Sequence, residues 1–154
     1  MARPVRSHRL RSFVCGVDFS RHSRAALRCA AALASAVGAR LTVLFVDDPL
    51  LVAAEARHGR NGRAGGARRT RAALARFVAA SLKAAAGVRC ANIAGEPGPG
   101  LVRFARGHRA DLIVVGTRGT GGARALLFGS TTNYLVRHVR IPILVVPAPR
   151  RTGR

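Results

Sequence analysis

The segment DLIVVGTRGTGGARALLFGSTTNYL, residues 111–135, contains a strand, a glycine-rich loop and the beginning of a helix. Four consecutive aliphatic residues, Leu112–Val115, have the character of a strand that is covered on both faces. Glycines then interrupt the apolar pattern. Ser130 follows them and is of a residue type that is common at the start of a helix. A strand that leads through such a loop into a helix is typical of βαβ units, so the segment predicts an α/β fold with a parallel sheet.

The same alternation of strand and helix extends over most of the chain. Short apolar runs predict further strands at Phe13–Val17, Leu41–Val46, Val88–Ile93 and Ile143–Val146. Apolar residues at three- and four-residue steps predict helices at 27–37 and 74–85, and Gly38 and Gly87 are their expected stops. A third helix is expected from Pro97 to His108, because Glu96-Pro97 provides a rigid first turn. We expect one α/β domain over residues 13–148.

Three segments flank or interrupt this predicted domain. Residues 1–12 are rich in Arg and lack acidic residues, and we expect a disordered basic arm because the segment is too short for an organelle transit peptide. Residues 149–154 form a basic tail. Residues 47–66 contain RHGRNGRAGG and predict a mobile loop, which at the carboxyl edge of the sheet is either a lid over a ligand or a solvated insertion.

Charge is the most unusual property of the composition. Twenty-seven basic residues, of which only Lys83 is a lysine, stand against six acidic residues, and the formal net charge is +21. Such a charge attracts nucleic acid or another polyanion. A compositional bias toward arginine gives the same charge, because the basic residues are scattered along the whole chain. Both interpretations stay open.

Cysteine spacing and hydropathy argue against several classes of protein. Cys15, Cys29 and Cys90 are odd in number and no two have metal-ligand spacing, which argues against a disulfide framework and a zinc site. We expect Cys15 and Cys29 to be small core residues. No apolar run approaches the roughly 18 residues that cross a bilayer. A cytoplasmic protein without a membrane partner is therefore expected.

The ends of three predicted strands should meet at the carboxyl edge of the sheet. They bring Val17 and Asp18 from the first strand, Val46 from the second and Gly116 from the fourth. The convergence of these residues predicts a crevice that binds a ligand. Asp18 has a second interpretation, because an aspartate just before Ser20 is also a common cap for a helix.

The glycine-rich loop has the chemistry of an anion site. Side chains that would keep a phosphate from the backbone amides are missing at Gly116, Gly119 and Gly129. The helix start adds hydroxyls and unpaired amides from Ser130, Thr131 and Thr132. Arg118 is either a charge-assisted contact or a solvated side chain. The loop lacks a Walker lysine and the G-x-G-x-x-G fingerprint, which favours binding over rapid phosphoryl transfer.

The spacing Gly116-x2-Gly119-x9-Gly129-Ser130, followed by IPILVVP at residues 141–147, resembles the nucleotide-binding branch of the universal stress protein family. Residues 14–18, 95–97 and 110–116 resemble the family's first strand, its turn before the third helix and its fourth strand. The resemblance covers nearly the whole chain. It implies a Rossmann-like fold of the adenine nucleotide alpha hydrolase type, an open five-stranded parallel sheet in the order 3-2-1-4-5 with helices on both faces.

The resemblance also implies a function. It implies a cytoplasmic stress-response protein that holds ATP, with Mg²⁺, in the crevice between strands one and four and performs little or no catalysis. The nucleotide-binding residues that it implies are Asp18, Val46, Gly116, Gly119, Gly129, Ser130, Thr131 and Thr132, and the predicted crevice and loop add Val17 and Arg118. A homodimer through the last strand, Ile143–Val146, is implied as well. Two other functions stay open. One is a basic module that binds nucleic acid or another polyanion, and the other is a slow ATPase or phosphotransferase.

Overall fold

The computed structural model describes residues 10–49, 63–85, 87–118 and 128–149. The strands are β1 (Ser12–Val17), β2 (Arg40–Asp47), β3 (Val88–Ala94), β4 (Leu112–Gly116) and β5 (Ile143–Val146). The described helices are α1 (Arg21–Val37), α2 (Arg63–Ser81), α3 (Pro97–Gly107) and α4 (Ser130–His138). All strand pairs are parallel and the order is β3-β2-β1-β4-β5, which confirms the predicted fold class.

The strand order positions the site. Strand β1 lies between β2 and β4, with Val14 paired to Thr42 on one side and to Ile113 on the other. The chain therefore winds in opposite directions on the two sides of β1. In an open α/β sheet this is the place where the loops after two neighbouring strands separate and leave a crevice.

Alternate side chains of β1 enter two separate core clusters. Phe13 and Cys15 pack with Leu27 of α1 and Leu74 of α2 on one face of the sheet, and both leucines are fully buried. Val14 packs on the opposite face, in the cluster that α3 and α4 cover. Each fully buried leucine contributes roughly 1.5–3 kcal/mol to folding. Within the described part of the chain, no helix has the length and apolar character to cross a membrane.

Gly38 ends the first helix as the sequence predicts, but Gly87 does not end the second. Gly38 caps α1 with φ of 67°, and Gly87 has φ of 80° just before β3. The predicted end of the second helix at residue 85 is wrong, because α2 ends at Ser81. The Ser81 hydroxyl donates a hydrogen bond of 2.6 Å to the carbonyl oxygen of Phe77, and Arg28 of α1 donates from Nε to the Ser81 carbonyl oxygen at 3.0 Å.

Residues 10–12 of the predicted arm belong to the folded domain. Leu10 packs against the core, and Ser12 is the first residue of β1. The backbone amides of Arg11 and Ser12 donate to Oδ2 of Asp111 at 2.8 and 3.0 Å. The expectation of disorder is wrong for residues 10–12, since Asp111 gives these amides an acceptor. Residues 1–9 of the predicted arm and 150–154 of the tail lie outside the described residues.

The loop predicted over residues 47–66 is too long at both ends. Asp47 is the last residue of β2, and its carboxylate accepts hydrogen bonds from Thr70 and Asn92, both at 3.2 Å. Helix α2 begins at Arg63. Two glycines at 65 and 66 suggested a loop, but a glycine costs a helix only about 1 kcal/mol, which a longer helix tolerates. Residues 50–62 lie outside the described residues.

Candidate functional site

A cavity of about 320 Å³ opens where β1, β2 and β4 end. Its volume is in the range of about 300–1,000 Å³ that is typical of small-molecule sites. The cavity is lined by all the residues predicted to bind a nucleotide except Gly119, which lies outside the described residues. The remaining lining residues, which are mostly apolar, were not among the predicted binding residues: Gly16, Ser23, Leu44, Phe45, Pro97, Leu101 and Val115.

Gly116 allows the end of β4 to approach α1 closely. A Cβ atom on Gly116 would lie 2.7 Å from the carbonyl carbon of His22 and 2.9 Å from its Cβ atom. Real Cβ contacts are not this short, so a side chain here would force β4 and α1 apart. Gly116 therefore has a packing role in addition to opening the cavity.

The start of α4 supplies the polar chemistry of the cavity. Gly129 occupies the N-cap position and has no side chain to cap the helix. The amides of Ser130, Thr131 and Thr132 occupy the first three helical positions, which have no acceptor within the helix. The positive end of the helix dipole is at the same place. An anion such as a phosphate satisfies both the amides and the dipole.

Three hydrogen bonds fix the start of α4 against the sheet. Thr117 donates from its amide to the carbonyl oxygen of Val146 at 3.1 Å and accepts from the amide of Gly129 at 2.8 Å. The Thr132 hydroxyl, in a residue that is only 2% exposed, donates to the carbonyl oxygen of Gly116 at 3.0 Å. A hydroxyl has one proton, so Thr132 has no side-chain donor left for a ligand.

Asp18 lines the cavity from the end of β1. Its Oδ1 accepts a hydrogen bond of 3.1 Å from the amide of Ser20, and its own amide donates to Oγ of Ser23 at 3.3 Å. The interpretation of Asp18 as the cap of the first helix is wrong, since Ser20 is the N-cap and accepts from the Ser23 amide at 3.1 Å. A serine hydroxyl has the preferred length for this position.

The turn between Asp18 and Ser20 depends on a strained residue. Phe19 has φ of 63°, which is uncommon for a bulky side chain and costs roughly 1–2 kcal/mol. Its ring stacks on Phe45 of β2 at 4.6 Å between centroids and meets Phe77 of α2 edge-on at 5.4 Å. Such pairs contribute about 0.5–1.5 kcal/mol each, which offsets the backbone strain.

His22 connects α1 with the segment that follows β4. Its Nδ1 lies 3.1 Å from Oγ1 of Thr117, a partner that is 95 residues away in the sequence. Burial, together with the charges of Arg21 and Arg118, lowers the pKa of His22 below its ordinary value, and the Asp18 carboxylate opposes this shift. The imidazole is therefore neutral at neutral pH. The sequence did not reveal this contact, because no local pattern relates the two residues.

Comparison with known proteins gives a consistent family match. Residues 10–147 match the family described as the universal stress protein family. A universal stress protein encoded in the QAH/OAS sulfhydrylase 3′ region of Thermus aquaticus is 32% identical over 144 residues, covering 88% of this chain and 98% of that relative. Two further relatives match over shorter segments, which cover only 34% and 54% of their own lengths.

Solved structures have the same fold. The universal stress protein UspA from Lactobacillus plantarum is 30% identical with a TM-score of 0.67, and the alignment covers 91% of this chain and 99% of that one. A universal stress protein in complex with cAMP is 24% identical with a TM-score of 0.67, covering 91% and 98%. An Arabidopsis thaliana protein of this family with AMP bound is 15% identical with a TM-score of 0.62, covering 91% and 93%.

Proposed function

Because the chain belongs to the universal stress protein family, we propose that its cavity binds an adenine nucleotide, ATP in the cell, as a cytoplasmic stress signal. One observation carries this proposal: the uncapped start of α4 and the Asp18 carboxylate line the same cavity. The start of α4 can donate hydrogen bonds to a phosphate. The Asp18 carboxylate can accept them from the hydroxyls of a ribose or the amino group of an adenine. The cAMP and AMP found with two proteins of similar fold support an adenine nucleotide as the ligand.

In this proposal the phosphates approach the backbone closely at Gly116 and Gly129, which have no side chains, and bind the amides of Ser130 and Thr131, since the Gly129 amide already donates to Thr117. The Ser130 side chain is exposed and that of Thr131 is half-buried, so both hydroxyls are accessible. Thr132 contributes its amide, since its hydroxyl is bonded to Gly116. Gly119, which lies outside the described residues, stays a predicted phosphate contact.

The remaining cavity residues suit the other parts of ATP. The exposed Arg118 adds positive charge near the phosphates. Val17, Val46 and Asp18 line the part of the cavity assigned to adenosine. Mg²⁺ would enter with ATP, because Mg²⁺ takes several of its ligands from phosphate oxygens and water.

Isothermal titration with AMP, cAMP and Mg-ATP tests the proposal. Ser130→Asp puts a carboxylate at the first position of α4, where it suits the helix dipole and keeps the fold but repels phosphate. We expect it to weaken nucleotide binding at least tenfold, about 1.4 kcal/mol. Ser35→Asp, an exposed position on α1 away from the cavity, is the matched control. Wild-type protein that binds none of the three nucleotides at millimolar concentration contradicts the function, and unchanged binding by Ser130→Asp contradicts the site.

A distinct charge distribution favours a second function, binding of nucleic acid or another polyanion. None of the four described helices α1 to α4 contains Asp or Glu. Helices α1 and α2 cover one face of the sheet and expose six arginines: Arg21, Arg28, Arg68, Arg69, Arg71 and Arg76. A cationic face of this kind suits a phosphate backbone through counterion release, without sequence recognition.

Anisotropy of labelled duplex DNA over a salt series tests this second function. We expect binding at low salt whose logarithmic affinity falls linearly with the logarithm of salt concentration. Replacing Arg68, Arg69 and Arg71 with Gln should reduce the slope by about 3, since each phosphate contact contributes roughly 0.9. Replacing Arg103, Arg106 and Arg137 on α3 and α4 with Gln is the matched control. Absence of binding at low salt rules out this function.

We also propose that the chain forms a homodimer through β5. This strand is at the edge of the sheet, and its four residues, Ile143–Val146, are only half-buried in the single chain. An edge strand of aliphatic residues presents unpaired backbone groups that a second copy can use. Sedimentation equilibrium should give twice the chain mass of 16.2 kDa at micromolar concentration, and a monomer mass would contradict the dimer.

A further inference from the structure

His22 contacts the last residue of β4 and the residue that follows it, at the end of the cavity assigned to phosphate. It is the second residue of α1, and its backbone packs so closely on Gly116 that β4 has no space for a side chain there. Its Nδ1 is 3.1 Å from Oγ1 of Thr117, whose carbonyl oxygen accepts from the N-cap amide of α4. His22 itself does not line the cavity. It is therefore placed to act on the site through charge and through Thr117.

The charges around His22 are unequal. Arg21 lies beside it on α1, Arg118 comes from the segment after β4, and Asp18 comes from the end of β1. Two cations and one anion, together with partial burial, keep the imidazole neutral, and they lower the pKa of His22. A phosphate group at the start of α4 adds negative charge close to this set, so a bound nucleotide reverses the balance.

We propose that His22 takes up a proton when phosphate binds at the start of α4, so that this residue couples nucleotide binding to pH. The inference rests on the proposed nucleotide function. By linkage, a ligand that favours the protonated imidazole binds more tightly as the pH falls, and binding takes up a proton in the pH range where the imidazole of the free protein is still neutral. Each unit by which the ligand raises the pKa of His22 strengthens binding up to tenfold on the acid side. A nucleotide with more phosphate charge should raise the pKa of His22 further, and its affinity should depend more strongly on pH.

The protonated imidazole also changes the hydrogen bond to Thr117. Neutral histidine has one donor and one acceptor nitrogen, whereas both nitrogens of the cation donate. Nδ1 must then donate to Oγ1 of Thr117, which fixes the direction of a bond that the neutral ring can form in either sense. His22 is a positioning residue in this mechanism, because it acts through Thr117 and through its charge.

Calorimetry in two buffers of equal pH and different ionisation enthalpy measures the protons taken up on binding. Titrations of AMP and ATP at pH 6.5 into wild-type protein and into His22→Gln separate the contribution of His22. The nucleotide's own phosphate also titrates near pH 6, but it is common to both proteins. We expect greater proton uptake by wild type, a larger difference with ATP than with AMP, and affinities within about twofold at pH 8. Glutamine is neutral and can still bond to Thr117.

Equal proton uptake by the two proteins would overturn the inference while nucleotide binding stands. Failure of both proteins to bind any nucleotide would instead overturn the proposed function. If His22→Gln does not fold, titration of the wild-type His22 ring by NMR decides the question alone. Its pKa should be higher with AMP bound than in the free protein, and an unchanged or lower value contradicts the proposal.

Discussion

The side-chain hydroxyl of Thr132 donates a hydrogen bond of 3.0 Å to the backbone carbonyl oxygen of Gly116. The bond is buried, and it joins the first turn of α4 to the last residue of β4. Leu135 of the same helix packs fully buried in the core one turn further along. Together these contacts hold the uncapped amides of α4 at the edge of the cavity.

Replacing Thr132 with Val tests the importance of this bond. Valine keeps the shape of threonine but leaves the Gly116 carbonyl without its side-chain donor, which should lower the free energy of unfolding by about 1–3 kcal/mol. Urea denaturation measures the change. Thr131→Val, one residue away and half-buried, is the control and should leave stability within about 0.5 kcal/mol of wild type. Equal stability of the two variants would contradict a structural role for Thr132.

Gly116→Ala tests the close approach of β4 and α1. The added methyl group would meet the backbone of His22 at 2.7 Å, and we expect a loss of about 1–3 kcal/mol in stability. Nucleotide affinity should fall as well, because the displaced strand end lines the cavity. In Gly107→Ala, at the end of α3, the methyl group meets no atom within 4 Å. Thermal unfolding should shift clearly for the first variant and stay near wild type for the second.

Asp18→Asn distinguishes recognition of the nucleoside from recognition of phosphate. Asparagine can still accept the hydrogen bond from Ser20, so the turn before α1 is kept. The variant should bind AMP about tenfold more weakly, since a charged hydrogen bond contributes roughly 1.5 kcal/mol or more. Inorganic tripolyphosphate should bind as well as before or better. Parallel losses for both ligands in dialysis would show that Asp18 does not contact the nucleoside.

Stability should depend on pH through His22. The pKa of His22 is lower in the folded protein than its ordinary value of 6.5, so the unfolded chain binds more protons at acidic pH. Above pH 6.5 the imidazole is neutral in both states and the folded protein keeps its full stability. As the pH falls below 6.5, the unfolded chain takes up the proton first and this stability is lost. Chemical denaturation at pH 5 and pH 8 should show a smaller acid loss for His22→Gln than for wild type. An identical pH dependence of the two proteins would refute this assignment.

Regular periodicity made most of the fold predictable. Strands covered by helices on both faces have continuous apolar runs, and the inner strand β4 was predicted from Leu112 with its end one residue short. The start of α4 at Ser130 was predicted because glycine and hydroxyl residues mark a helix beginning. Glycines at 65 and 66 misled the prediction of α2, since a local signal there is weaker than the helix around it.

Contacts between distant residues limited the prediction of the site. Glycines and hydroxyls of the phosphate end were visible because they are close together in the sequence. The bond between His22 and Thr117 and the stack of Phe19 on Phe45 join different elements, and no spacing rule relates such pairs. The hydroxyl of Thr132 was predicted to face a ligand, whereas its direction is set by the backbone of β4. A sequence pattern therefore predicts which residue types are present at the site, but not which group each side chain contacts.

The hydrogen bond from the Gly129 amide to the Thr117 carbonyl oxygen closes the chain between two fixed points, one at the end of the sheet and one at the start of a helix. Residues between these points are tethered at both ends, and doubling a tethered segment costs only about 0.6 kcal/mol in chain entropy. A change in the length of that segment should therefore cost little folding free energy, so the nine-residue spacing between Gly119 and Gly129 is not required for stability. Exchanging the residues between Gly119 and Gly129 while Arg118 and Gly119 are kept should therefore leave the end of β4 and the start of α4 in place.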